Sequence, residues 1–114
     1  MRVPDPLGRA LLAAIALCCL GTVALADVAT ATLVIQEHRF VPAELLVPSG
    51  QKIRLTVENH DASPEEFESY ALNREKLIAG KASAIVWIGP LAPGRYACFG
   101  DFNQKTAQGV IVAR

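Results

Sequence analysis

The chain has 114 residues, 52% of them apolar, and 11 basic side chains balance 11 acidic ones. That length suits one small domain, and the balanced charge offers no electrostatic reason to bind nucleic acid or an anionic membrane surface. Ser49, Ser63, Ser69 and Ser83 stand in no catalytic motif and neither His lies in one, so a non-enzymatic role is expected, with an accessory part in metal oxidation left open.

Arg2 and Arg9 flank a basic start, residues 10–20 form an apolar run, and Ala24-Leu25-Ala26 is a small-residue cleavage signal. Together they predict a secretory signal peptide over residues 1–26, removed before Asp27, and hence a periplasmic protein. The run is short for a span of about 20 residues, so no direct membrane insertion is expected after cleavage. The remaining domain, residues 27–114, carries nine basic and ten acidic groups, a net charge of −1. Of the Cys residues only Cys98 remains in it, so an intramolecular disulfide is excluded and the fold rests on its core.

Residues 30–36 alternate, with Ala31, Leu33 and Ile35 on one side, and predict the first strand. A short strand over 44–47 ends at the Pro48-Ser49-Gly50 turn signal. Ile53, Leu55 and Val57 alternate with Lys52, Arg54 and Thr56 in a half-buried strand, and residues 59–64 form a loop. Residues 65–72 read as helix by Glu and Leu content, or as a strand by the phase of Phe67 and Tyr70. Further strands are predicted over 82–88, 95–99 and 109–113. Short strands with Gly/Pro turns make an all-β Greek-key β-sandwich, one small domain. Tyr96 after Leu91-Ala-Pro-Gly94 has the setting of a tyrosine corner. Immunoglobulin-like domains share that corner, so a metal-free immunoglobulin-like interaction module is an alternative.

If successive strands run antiparallel, the strands ending near residues 36, 57 and 99 finish at one pole. Their outgoing loops hold His38, His60 with Glu65, and Asp101 with Asn103 and Gln108. Mixed oxygen and nitrogen donors suit Fe or Cu(II) better than Cu(I). Glu65 shares a face with Phe67, where a carboxylate is costly unless paired or coordinated. Arg39 or Lys105 is the alternative partner, in a structural ion pair. Glu66 and Glu68 share the opposite face with Tyr70, as a solvated surface would. His38 and His60 also read as exposed loop residues, and Asp101 and Asn103 as turn residues. Cys98 points the same way as Tyr96, about 6 to 7 Å from position 100, as a buried core thiol. Gly100 is expected to serve a turn where the backbone leaves its strand.

Tyr96-Ala-Cys-Phe-Gly-Asp-Phe-Asn-Gln-Lys-Thr-Ala-Gln-Gly109 resembles the closing hairpin of cupredoxins. There a Cys stands four residues after the Tyr, a His three further on and a Met five beyond that. The corresponding positions are Gly100, Asn103 and Gln108, so the spacing is kept while the thiolate and imidazole are absent. Phe40-Val-Pro-Ala-Glu-Leu-Leu-Val-Pro-Ser-Gly50 is similar to the cupredoxin strand-and-turn pattern, and Glu65 follows Pro64 where the first His ligand stands. More narrowly, Pro64-Glu-Glu-Phe-Glu-Ser-Tyr-Ala-Leu-Asn-Arg-Glu-Lys76, Ile88-Gly-Pro-Leu-Ala-Pro-Gly-Arg-Tyr96 and residues 99–109 resemble small exported cupredoxin-like proteins associated with bacterial iron-permease uptake. In that subgroup position 103 is usually His and position 101 usually Glu; here they are Asn103 and Asp101.

The resemblance implies a periplasmic metal-handling accessory that binds copper or iron. Its partner would be a membrane iron permease or another envelope iron-uptake component. The metal set would be Glu65, Asp101, His38, Asn103 and Gln108, with the amide oxygen of Gln108 in the axial place. An electron-transfer or metal-oxidising cupredoxin is the other alternative, which would need a redox metal held without Cys.

Overall fold

Alternating apolar residues build almost every element of the computed structural model, which describes residues 28–114. The expected leader and its cleavage site lie outside the described residues. Among the described residues nine strands run in chain order: β1 (Val28–Gln36), β2 (Arg39–Val41), β3 (Glu44–Val47), β4 (Lys52–Asn59), β5 (Glu65–Ser69), β6 (Arg74–Ile78), β7 (Ser83–Ile88), β8 (Gly94–Gly100) and β9 (Gln108–Ala113). One 3-10 turn, Asp101–Asn103, follows β8. No helix among the described residues is long and apolar enough to cross a membrane.

The strands form two sheets, of order β2-β1-β4-β7 and β3-β9-β8-β5-β6. Inward side chains of the first sheet, Leu33, Ile35, Ile53, Leu55, Val57, Val86 and Ile88, pack against Phe67, Cys98, Ile111 and Ala113 of the second. Phe40 of β2 stacks on Phe67 of β5 at 6.1 Å between ring centroids, locking the sheets together on the Glu65 side of the core. This is the all-β Greek-key β-sandwich expected from the sequence. The Tyr96 hydroxyl donates to the Ala92 carbonyl at 2.8 Å, closing the tyrosine corner.

Residues 65–72 resolve as strand and turn rather than helix: β5 ends at Ser69, residues 70–72 turn, and the strand keeps a strict in-out alternation that buries Glu65, Phe67 and Ser69. Two strands carry no sequence prediction. β2 has only three residues, and β6 is an edge strand exposed except at Ile78, so neither shows a two-residue period.

β1 and β4 run parallel, register Ile35↔Asn59, and so deliver their outgoing loops to the same end. Backbone groups then tie those loops together. The Asp61 carboxylate accepts the N–H groups of Glu37 at 2.8 Å and His38 at 3.0 Å. The His60 N–H donates to the Ile35 carbonyl at 2.8 Å. The turn after β8 joins them through Glu65.

Candidate metal centre

Glu65 opens β5 and is turned inward, 1% exposed, because its strand phase is set by Phe67. A carboxylate in that position needs hydrogen bonds for its oxygens. Oε1 accepts the backbone N–H groups of Phe102 at 2.8 Å and Glu66 at 3.0 Å. Oε2 accepts from Asn103 Nδ2 at 2.8 Å. Every donor is a neutral amide. The ion pairs among the described residues are His38–Asp61, His60–Glu58 and Arg95–Glu44, so neither Arg39 nor Lys105 neutralises Glu65.

Gly100 explains how the carboxylate fits. A Cβ built there would lie 2.6 Å from Glu65 Cδ, 2.7 Å from Oε2 and 2.8 Å from the Ala107 methyl. The Glu65 carboxyl thus fills the room that a side chain at position 100 would need. The expectation that Gly100 serves a turn is corrected: its φ of −94° and ψ of 115° are extended, and the glycine is required by close approach.

The loop before Glu65 is held by Asn59, itself 1% exposed. Its Nδ2 donates to the Ser63 carbonyl at 2.8 Å and to those of Ile78 and Ala79 at 3.3 Å, while its Oδ1 accepts the Asp61 N–H at 3.0 Å. Sequence reasoning placed Asn59 only in a loop; its position at the end of an alternating strand, in phase with Val57, was the available signal. The Phe102 N–H, a backbone donor fixed by the 3-10 turn, left none.

The other residues singled out in the sequence divide. Asn103 joins Glu65 directly. His38 shares a surface depression with Phe102, Asn103 and Lys105, at φ 57°, with Nδ1 3.6 Å from Asp61 Oδ2. The N–H of His38, and secondarily that of Glu37 with the charges of His38 and Lys81, holds the Asp61 carboxyl below its ordinary range against the opposing effect of burial. Asp101 turns to the outer face of the second sheet, where its carboxylate, with those of Glu66 and Glu68, forms a group whose oxygens lie within 4.8 Å of one another. Its Oδ1 accepts from Gln104 Nε2 at 2.8 Å. Desolvation, then a hydrogen bond with Glu68 and the charges of Glu75, Glu68 and Asp101, raises the Glu66 carboxyl. Gln108 is exposed on that face and donates to the Gln104 carbonyl at 2.6 Å, while its neighbour Ala107 is the residue facing Gly100. His60 pairs with Glu58 at 3.1 Å. The structure therefore brings Glu65 and Asn103 together with His38 on their rim, and turns Asp101 and Gln108 away.

Cys98 is 2% exposed, and desolvation pushes its thiol up to about 12, where the thiolate is negligible at neutral pH. It packs beside Gly109, at which an added Cβ would lie 3.4 Å from the sulfur. With Gly100 filled by Glu65 and the sole described thiol in the core, the residues present do not fit a copper–thiolate centre.

A model of the cupredoxin-like domain matches residues 8–113. An uncharacterized protein of Rickettsia prowazekii is 48% identical over 80 residues, covering 70% of this chain and 64% of that protein's length. The chain thus spans somewhat less than two thirds of that relative. Among solved structures, auracyanin A, a "blue" copper protein of Chloroflexus aurantiacus, superposes with TM-score 0.66 at 17% identity, over 77% of this chain and all of that one. The metal-binding domain of a Cu(I)-exporting P-type ATPase from Streptococcus pneumoniae, solved with Cu(I), superposes with TM-score 0.65 at 13% identity, over 80% and 99%. A purple cupredoxin of Nitrosopumilus maritimus gives 0.58 at 16% identity, over 74% and 99%. At these identities the structural likenesses concern the fold.

Proposed function

Because this chain belongs to the cupredoxin-like domain family, we propose that it is an exported, periplasmic metal-handling accessory, binding iron or copper in support of iron uptake. Its partner in this reading is a membrane iron permease or another envelope iron-uptake component. The support is the family, the copper bound by the auracyanin and the ATPase domain, the leader-like residues 1–26, and the resemblance of residues 64–76 and 99–109 to the iron-permease-associated subgroup.

The observation that carries the reading is the Glu65 carboxylate, fully buried at the loop pole with neutral donors only. Among the described residues no side-chain cation pairs with it, so an incoming metal ion meets an anionic oxygen. Oε2 has one protein donor, Asn103, whose amide presents an oxygen instead of its NH₂ when turned about its last bond. His38 supplies a nitrogen from the rim. Asp101 contributes negative potential from the outer face, and Gln108 steadies the turn through Gln104. Such hard donors favour Fe or Cu(II) and hold them weakly, supplying a binding rather than a fast electron-transfer centre.

A second reading, the metal-free interaction module, is favoured by one fact: among the described residues no buried side-chain nitrogen or oxygen lacks a hydrogen-bond partner, so the pole is complete without an ion.

Titration of the purified protein with Fe and Cu(II), beside Glu65→Gln, separates them. The expected result is weak binding that the variant reduces, with no intense blue absorption on copper loading. A strong thiolate-to-copper band abolished by Cys98→Ala overturns the donor set. Absence of binding replaces the reading with the interaction module.

A further inference from the structure

At the end of the first sheet, β7 has β4 as its one hydrogen-bonded neighbour among the described residues. Its other edge is open. Ala82 sends its carbonyl to the Asn59 N–H at 2.8 Å, toward β4, whereas the Trp87 carbonyl accepts Arg74 Nε at 2.8 Å from β6 in the opposite sheet. Backbone groups alternate sides along an antiparallel strand. Both observations therefore put the N–H and C=O groups of Ser83 and Ile85 on the open edge, the Trp87 carbonyl there being the one already capped.

A surface groove runs along this edge, lined by Arg54, Thr56, Lys76, Ser83, Ala84 and Ile85. Its chemistry is one-sided: two cations, two hydroxyls and no carboxylate. Arg54 lies opposite Trp87 in the β4–β7 register. Lys76 comes from β6, where its register partner is the inward Phe67, so its side of the strand faces the gap between the sheets. The nearest acid by register is Glu58, opposite Ser83, and its carboxylate is taken by His60 at 3.1 Å. Ile85, 37% exposed, and Trp87, 44% exposed, leave apolar surface at the same edge, and Lys52 lies over the Trp87 ring at 4.9 Å.

We propose that the open edge of β7 is a docking surface for an acidic extended segment of a partner protein, which adds as a short strand beside Ser83 and Ile85 with its carboxylates against Arg54 and Lys76. Main-chain bonds to the edge supply affinity in strand addition, and side-chain chemistry supplies selectivity. Here the selecting chemistry is charge complementarity. An exposed edge is otherwise a liability that charged side chains guard. Mere guarding predicts no ligand, and that difference makes the proposal testable independently of any metal at Glu65.

The test uses the purified protein and a labelled short peptide of alternating glutamate and valine, with its lysine–valine counterpart as control. The acidic peptide should bind and the lysine peptide should not. Arg54→Glu with Lys76→Glu, both exposed and so compatible with the fold, should weaken binding by about tenfold or more. Amide exchange at Ser83 and Ile85 should slow on binding while that of Ala84 and Val86, already bonded to β4, stays unchanged. No binding of the acidic peptide, equal binding of the lysine peptide, or binding without protection of Ser83 and Ile85 overturns the proposal. Arg54- and Lys76-dependent binding to anionic lipid vesicles in place of the peptide overturns it in favour of a membrane surface.

Discussion

Glu65, Gly100 and Asn103 form one interlocked unit. The carboxylate exists in the core because three amides receive it, and it fits because position 100 has no side chain. Gly100→Ala therefore places a methyl within 3 Å of the Glu65 carboxyl and the Ala107 methyl, and either neighbour can move only by giving up its packing. We expect a loss of about 1–3 kcal/mol in urea unfolding, partly recovered in Gly100→Ala with Glu65→Ala, since removal of the carboxylate frees the space. An unchanged midpoint for Gly100→Ala contradicts the interlock. Burial of Glu65 was legible from its phase with Phe67. The outward turn of Asp101 and Gln108 was not, because the 3-10 turn Asp101–Asn103 rotates the chain out of the strand period on which sequence reasoning depends.

Loops and strands explain the pole at the next scale. Asp61 joins the β1–β2 turn to the loop after β4 by accepting two N–H groups, and both Glu37 and His38 sit at positive φ, 53° and 57°. Its carboxyl titrates below the ordinary 3.8. A lowered carboxyl contributes stability that is present above the unfolded value and lost as pH falls through the folded one. Unfolding measured below about pH 4 should thus show a stability decline that Asp61→Asn diminishes, and at neutral pH the variant should cost on the order of 1 kcal/mol. Identical acid profiles for the two proteins contradict this role. The sandwich itself was largely readable, because β1, β4, β7, β8 and β9 alternate against one core. Edge strand β6, nearly all exposed, carries no such alternation, and its existence depends on pairing with β5, register Phe67↔Lys76.

For the whole molecule, the Arg-flanked apolar run ending in Ala24-Leu25-Ala26 predicts that protein recovered from the cell envelope begins at Asp27, as N-terminal sequencing will read. An intact Met1, or recovery from the cytoplasm, contradicts export and with it the periplasmic part of the functional reading. In the proposed reading, one buried carboxylate at the loop pole and an imidazole on the rim offer oxygen-rich donors where thiolate-bearing cupredoxins present sulfur. The claim that this pole binds metal is tested most directly by calorimetric titration of Cu(II) and Fe into the wild type, Glu65→Gln, Asn103→His and the double variant. Asn103→His should tighten binding by about tenfold or more, because imidazole is a stronger donor than an amide, and Glu65→Gln should weaken it. Since the two residues touch, the gain from His should shrink in the double variant, a coupling of about 0.5–3 kcal/mol. Affinities that neither single change alters, or effects that simply add, contradict a shared ion at Glu65 and Asn103.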